Sequence, residues 1–247
     1  MSISNRWGAN KFCLRCRASG FTLIELLVVV MVIAILATML MPSVFSAMKS
    51  AQSARCMSNL RQFGQAHTMY MENNFGYLAA CGPPYAGYPY WYVSLARYLK
   101  DDKVYRCPGG VGSGNGYGMN NRFINAGDGA QSFEPSDMGI WGRTETFNVV
   151  TNAGATIVFA DAAPVLNPTA EPEAWEESAT GNTAAYMHFP QTPAFWAGHA
   201  TGDNQRAMPR HKGAVNCCFF DAHVEAYKIG DIIGAMRYEG GCLYDNQ

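Results

Sequence analysis

Four residues in the second half of the chain, Asp161, His211, Asp221 and His223, are of types that hold a metal ion or move a proton. They lie at the ends of segments that read as strands and tight turns, and two strand ends can bring such groups together. A hydrolase built on them would hold a divalent ion with His and Asp and use its bound water as the nucleophile. No compact ligand run such as HExxH supports that chemistry. A structural Ca²⁺ with Asp161 and Asp221 as oxygen ligands needs fewer special groups, although no DxDxDG loop is present. The plainest reading is that these side chains hydrogen-bond turns and neighbouring strands. No catalytic residue is assigned and no cofactor is expected, with structural calcium at Asp161 and Asp221 kept as the candidate metal.

A fifth residue is out of place by composition. Glu25 lies near the start of FTLIELLVVVMVIAILATMLM, residues 21–41, of which 18 in 21 are apolar. At about 1.5 Å per helical residue this run covers roughly 30 Å, the thickness of a bilayer core. A carboxylate there costs several kcal/mol unless a partner is supplied, so Glu25 is a functional candidate. The run is longer than the apolar part of a secretory signal peptide and lacks a small-x-small cleavage site. Cys13 and Cys16 precede it, where a lipoprotein would need a Cys after it. They form a CxxC, but zinc needs four ligands and no second pair is near.

Charge is distributed in the same sense. Residues 1–20 carry Arg6, Lys11, Arg15 and Arg17 and no acid, a net +4, while the other 227 residues hold 14 bases and 19 acids, a net −5. Positive flanks stay on the cytoplasmic side, which directs the C-terminal part outward. The acidic body argues against a nucleic-acid partner, because phosphate binding needs a basic field. With 247 residues, 49% hydrophobic and 15% charged, the chain can bury one good core.

The apolar pattern continues beyond Pro42, which removes one helical hydrogen bond and should kink or loosen the helix. Val44, Met48, Ala51, Ala54, Met57, Leu60 and Phe63 recur at helical spacing, opposite Lys49, Ser50, Ser53, Arg61, Gln62 and Gln65. This predicts an amphipathic helix to about Asn73, stopped by Asn74 and Gly76, with the apolar stripe as the floor of a domain. Ser94–Leu99 reads as a short helix. The Gly-rich stretch VGSGNGYGMNN has no phosphate-loop spacing and reads as loop or edge-strand geometry. Ala155–Asp161, Ala214–Asp221 and His223–Tyr227 read as strands, and residues 162–207 as a long surface excursion. Helix first and strands after give an α+β class with an antiparallel sheet.

Six cysteines lie beyond residue 20: Cys56, Cys81, Cys107, Cys217, Cys218 and Cys242. In an exported domain they allow up to three disulfides in 15 connectivities. Adjacent Cys217 and Cys218 point to opposite faces of a strand and do not pair with each other. Cys81–Cys107 is the expected pair, since both flank loops in one region. No constellation that would activate a cysteine nucleophile is visible in the sequence.

Gly20-Phe21-Thr22-Leu23-Ile24-Glu25, after a basic leader and before an apolar helix, resembles the class III signal of type IV pilins and of type II secretion pseudopilins. The resemblance implies a prepilin peptidase that cuts after Gly20 and methylates the new amine of Phe21. It also implies that Glu25 pairs with the N-terminal ammonium of a neighbouring subunit in a filament. Pilin-like proteins carry a Pro near position 42, where local melting accompanies assembly, and some major pseudopilins hold Ca²⁺ in C-terminal loops. Arg210 to Glu225 is similar to the H-x9-DG pattern of large bacterial pilin-like proteins, and Cys56–Gly76 and Tyr105–Pro108 fit the same group. Ala222 stands where that pattern has Gly; if a left-handed turn is needed there, Ala must carry strain.

The expectation is therefore a pilin-like α+β fold, a long N-terminal helix packed on an antiparallel sheet. Residues 1–20 form a cleaved cytoplasmic leader, 21–74 the helix (21–41 transmembrane, 42–74 amphipathic) and 75–247 the globular domain. The implied partners are the prepilin peptidase, other pilin or pseudopilin subunits, the inner-membrane assembly platform and the inner membrane itself, with the C-terminal domain in the periplasm. The implied role is structural, in a type II secretion pseudopilus or related filament for protein export. An adhesive or DNA-uptake pilin and a membrane-anchored metal-dependent hydrolase are the alternatives.

Overall fold

A computed structural model describes residues 21–79, 90–111, 114–120, 150, 152–167, 170, 174–178, 186–187 and 205–231. The chain divides into two units, Met1–Phe45 and Ser46–Gln247.

Helix α1, Leu23–Asn73, runs through Pro42 without interruption. Among the described residues it is the one helix long and apolar enough to cross a membrane. Every residue from Phe21 to Phe45 is exposed, including Leu27, Ile33, Leu36 and Met41. A run of side chains this apolar and this bare is soluble only against lipid or another protein. At its far end α1 stops as expected: the Asn74 and Gly76 N–H groups both donate to the Met71 carbonyl, at 3.2 and 2.9 Å.

Among the described residues of the second unit, α1 is followed by α2 (Trp91–Leu95), 3₁₀ turns over Ala96–Tyr98 and Asp102–Tyr105, and six strands. These are β1 (Tyr117–Asn120), β2 (Ile157–Pro164), β3 (Tyr186–Met187), β4 (Gln205–Ala207), β5 (Ala214–Phe219) and β6 (Val224–Lys228). The sheet order is β3-β1-β2-β5-β6, with β4 pairing β2 as well. All pairings are antiparallel except β1 with β3, which is parallel and departs from the all-antiparallel expectation.

Strand β2 is central, and its first seven residues are buried. One face of the sheet packs Val158, Phe159 and Cys218 against Cys56, Leu60 and Phe63 of α1; the other packs Ile157, Ala160, Cys217 and Phe219 with Val165 and Trp175. Cys217 and Cys218 thus do lie on opposite faces. A bulge between Ile157 and Phe159 lets Val158 and Phe159 share the helix side. Phe63 is the hub, with ring centroids 5.1 Å from Tyr117 and 5.4 Å from Trp91, both edge-on.

Two sequence expectations are corrected here. The buried face of α1 begins at Cys56 and uses Asn59, Leu60, Phe63, Gly64, Ala66, His67 and Met71. Of the predicted stripe only Leu60 and Phe63 are buried, while Val44, Met48, Ala51 and Ala54 are exposed. Among the described residues, the core meets α1 only from Cys56 onward, so apolar spacing further up faces none of it. Residues 162–207 are also not wholly superficial: β2 continues to Pro164, Ala162 and Ala163 are buried, and β4 pairs with them.

Candidate functional site

At the start of α1, Thr22 and Glu25 form a reciprocal cap. Glu25 N–H donates to Thr22 Oγ1 at 3.3 Å, while Glu25 Oε2 accepts from Thr22 N–H and from its hydroxyl, both at 2.8 Å. This is the S/T-x-x-E capping box, which satisfies helix-end donors and holds the carboxylate beside the N-terminus of the helix. Phe21, one residue earlier, is exposed; Gly20 lies outside the described residues.

A second set of functional groups lies in the globular unit. Cys56, Cys107, Asp161 and His211 come from α1, from the loop after the 3₁₀ turn Asp102–Tyr105, from β2 and from the turn before β5. Each offers one ligand atom, these atoms all lie within 4.8 Å of one another, and all four residues are buried. Local sequence explains each placement. Asp101 caps the 3₁₀ turn by accepting from Lys103 N–H, and Cys107-Pro-Gly-Gly closes a turn through Gly110 N–H to Cys107 O at 3.1 Å. Gly116 passes so close that a Cβ there would stand 2.6 Å from Cys107 Cβ. His211 and Ala214 exchange backbone hydrogen bonds of 3.2 and 3.1 Å around Lys212 and Gly213, both with positive φ, the mirror-image turn that suits two-residue hairpins.

Within the cluster, Cys107 Sγ is 3.7 Å from Cys56 Sγ and 3.4 Å from His211 Nε2. The Cys56 thiol donates to Asp161 Oδ1 at 2.5 Å, and Asp161 Oδ2 accepts from Asn216 N–H at 2.9 Å. His211 Nε2 stands 3.6 Å from Asp161 Oδ2. Hydrogen bonding by Cys56, reinforced by His211 and the Arg210 guanidinium, holds the Cys107 thiol well below its ordinary value against the cost of burial. Burial above all pushes Cys56 upward. Burial, with negative charge at Cys107, raises Asp161 to about 7. Burial opposes a charge on His211, yet Cys107 and Asp161 raise it above the ordinary histidine value. Arg210 is itself anchored by a bidentate bond to Glu177, at 2.8 and 2.6 Å, and donates to the Gly116 and Ala162 carbonyls.

Of the sequence candidates, the fold joins Asp161 to His211 and separates both from Asp221 and His223. Phe219 pairs with Ile157, so Asp221 lies at least four strand residues, roughly 13 Å, from Asp161. Asp221 and His223 bond each other at 2.5 Å on an exposed turn, as turn-forming groups. The Asp161–Asp221 calcium pair therefore does not converge. Cys107 is a free thiol facing Cys56 and His211; Cys81, its expected disulfide partner, lies outside the described residues. A cysteine with a lowered pKa beside a histidine is also present, contrary to the sequence reading. The available signal was Cys-Pro-Gly-Gly, a turn that leaves backbone N–H groups free to face sulfur.

Comparison with known proteins agrees with the N-terminal geometry. Residues 15–41 match the prokaryotic N-terminal methylation motif. Over 63 residues the chain is 38% identical to the type II secretion system core protein G of Pseudomonas aeruginosa, a stretch that is 26% of this chain and 44% of that protein. The chain thus spans less than half the length of the curated relative it matches. No solved structure matches. The N-terminal segment is of the prepilin type, and the long helix with its sheet forms an α+β, pilin-like architecture.

Proposed function

We propose that the protein is a pilin-like structural subunit, processed by a prepilin peptidase between Gly20 and Phe21 and assembled into a type II secretion pseudopilus or a related type IV filament. The observation that carries this reading is the join of a methylation-motif N-terminus, capped through Thr22 and Glu25, to a bare apolar helix 23 residues long by Phe45. Before assembly, lipid covers that helix and anchors the chain in the inner membrane, with the globular unit in the periplasm. In the filament, neighbouring helices take the place of lipid. A methylated ammonium at Phe21 then supplies the opposite charge that a carboxylate in an apolar surround requires. The work is mechanical: the globular unit is carried outward and contacts cargo or neighbouring subunits, and no reaction is asked of it.

The test is the N-terminal mass of the protein recovered from membranes with and without the peptidase. A peptidase-dependent start at Phe21 bearing one added methyl is expected. An intact Met1 start, or a cut beyond Met41, overturns the assignment.

A further inference from the structure

We propose that Cys56, Cys107, Asp161 and His211 form a mononuclear zinc site that fastens the last turns of α1 to the sheet. Four ligand atoms from four separate elements converge within 4.8 Å in a buried position. The spacing matches a tetrahedral ion. Zn–S bonds near 2.3 Å put two thiolates about 3.8 Å apart, and a thiolate and an imidazole nitrogen about 3.6 Å apart. The corresponding separations here are 3.7 Å between Cys56 and Cys107 and 3.4 Å between Cys107 and His211. Asp161 Oδ2 is held by Asn216 N–H, which leaves Oδ1 as the ligand oxygen. The short bond from the Cys56 thiol to Oδ1 is the contact that must open, by about 1 Å, as the ion replaces the thiol proton.

Donor chemistry selects the metal. Calcium takes six to eight oxygens and magnesium an octahedral, water-rich shell, whereas this cluster offers two sulfurs, one nitrogen and one carboxylate. Binding releases the thiol protons to solvent and keeps His211 neutral. Two thiolates, a carboxylate and Zn²⁺ leave one negative charge, and the Arg210 guanidinium, which already acts on Cys107 and Asp161, stands by to offset it. Backbone hydrogen bonds from Gly109 to the Cys107 sulfur and from Asn216 to Asp161 supply the outer shell that orients ligands. His211 also borders an open cavity of about 290 Å³, shared with Lys49, Ser50 and Met57, which gives an ion a route in. The competing fate of the two sulfurs, a Cys56–Cys107 disulfide, requires them to close from 3.7 Å to about 2 Å and strips Asp161 of its buried donor.

The experiment uses the full chain in detergent, stripped with EDTA under reductant and then given Zn²⁺, Co²⁺ or Ca²⁺ alone. Expected are one zinc per chain, a melting temperature that rises by several degrees and is reversed by EDTA, and no response to Ca²⁺. Co²⁺ should give a thiolate-to-cobalt charge-transfer band with tetrahedral visible absorption, a readout that needs no variant. Cys107→Ser and His211→Ala should each lose zinc affinity at least 100-fold, which also excludes binding by the other cysteines. Substoichiometric zinc with free thiols overturns the proposal, as does an octahedral cobalt spectrum without charge transfer. Protein isolated without reductant that yields a linked Cys56–Cys107 peptide overturns it equally.

Discussion

A methyl group added to Gly64 of α1 would stand 2.9 Å from Ala222 Cβ in the β5–β6 turn and 2.8 Å from Cys218 Sγ. Helix and hairpin touch there at backbone distance, so Gly64 is a packing residue despite the helical preference for Ala. Gly64→Ala should destabilise the domain by about 1–3 kcal/mol, as overpacking does in a tight core. Adding Ala222→Gly should recover part of that loss, because it removes Ala222 Cβ, one of the three atoms within 3.0 Å of the new methyl. Chemical denaturation of both single variants and the double variant measures the coupling; strict additivity would refute it.

Ala222 itself has φ +67°, the left-handed region that an L side chain enters at a cost, closing a three-residue loop through Phe219 N–H to His223 O. The strain anticipated where the related pattern has Gly is present. Ala222→Gly should stabilise the protein by about 0.5–1 kcal/mol, the left-handed penalty less the greater freedom of Gly in the unfolded chain. A lower denaturation midpoint for this variant would contradict the account.

His67 is buried between Phe159 and Phe220, and burial lowers its pKa to about 4. An unfolded chain protonates this imidazole below about pH 6.5, and the folded one only below about 4, so the unfolded state binds more protons in that window. Stability should fall as pH drops from 6.5 to 4, by up to about 3 kcal/mol from this residue alone. His67→Phe should flatten the curve between those values and leave it unchanged above pH 7. Parallel curves for the two proteins would refute the prediction.

The Arg210–Glu177 pair is enclosed, with side chains 4% and 11% exposed. Glu177→Ala leaves a guanidinium indoors with only carbonyl partners and should cost about 3–5 kcal/mol, whereas Glu177→Gln should cost less by keeping a hydrogen bond. Thermal unfolding by tryptophan fluorescence orders the three proteins; equal melting temperatures would show the pair to be unimportant.

Glu25→Leu removes both the cap on Thr22 and the charge available to a neighbour. Membrane insertion and cleavage after Gly20 should persist, while incorporation into a sheared filament fraction is lost. A variant that still assembles at wild-type yield would remove Glu25 from the assembly step.

Local chemistry, read along the chain, placed the apolar helix, its stop near Asn73 and strands β2, β5 and β6, while the prepilin-type signal came from the resemblance carried by Gly20 to Glu25. Each depends on neighbours within a few residues: periodicity, a terminating Gly, β-branched runs, a charge inside an apolar segment. Strands β3 and β4 are two and three residues long, too short to carry a period, and exist because β1 and β2 offer them an edge. The buried face of α1 was misplaced because an amphipathic pattern cannot say how far a covering sheet extends. The Cys–His–Asp cluster was decided only in three dimensions. Its members are 50 to 155 residues apart in the sequence, and what joins them is the antiparallel register that sets Asp161 beside Asn216 beneath the helix.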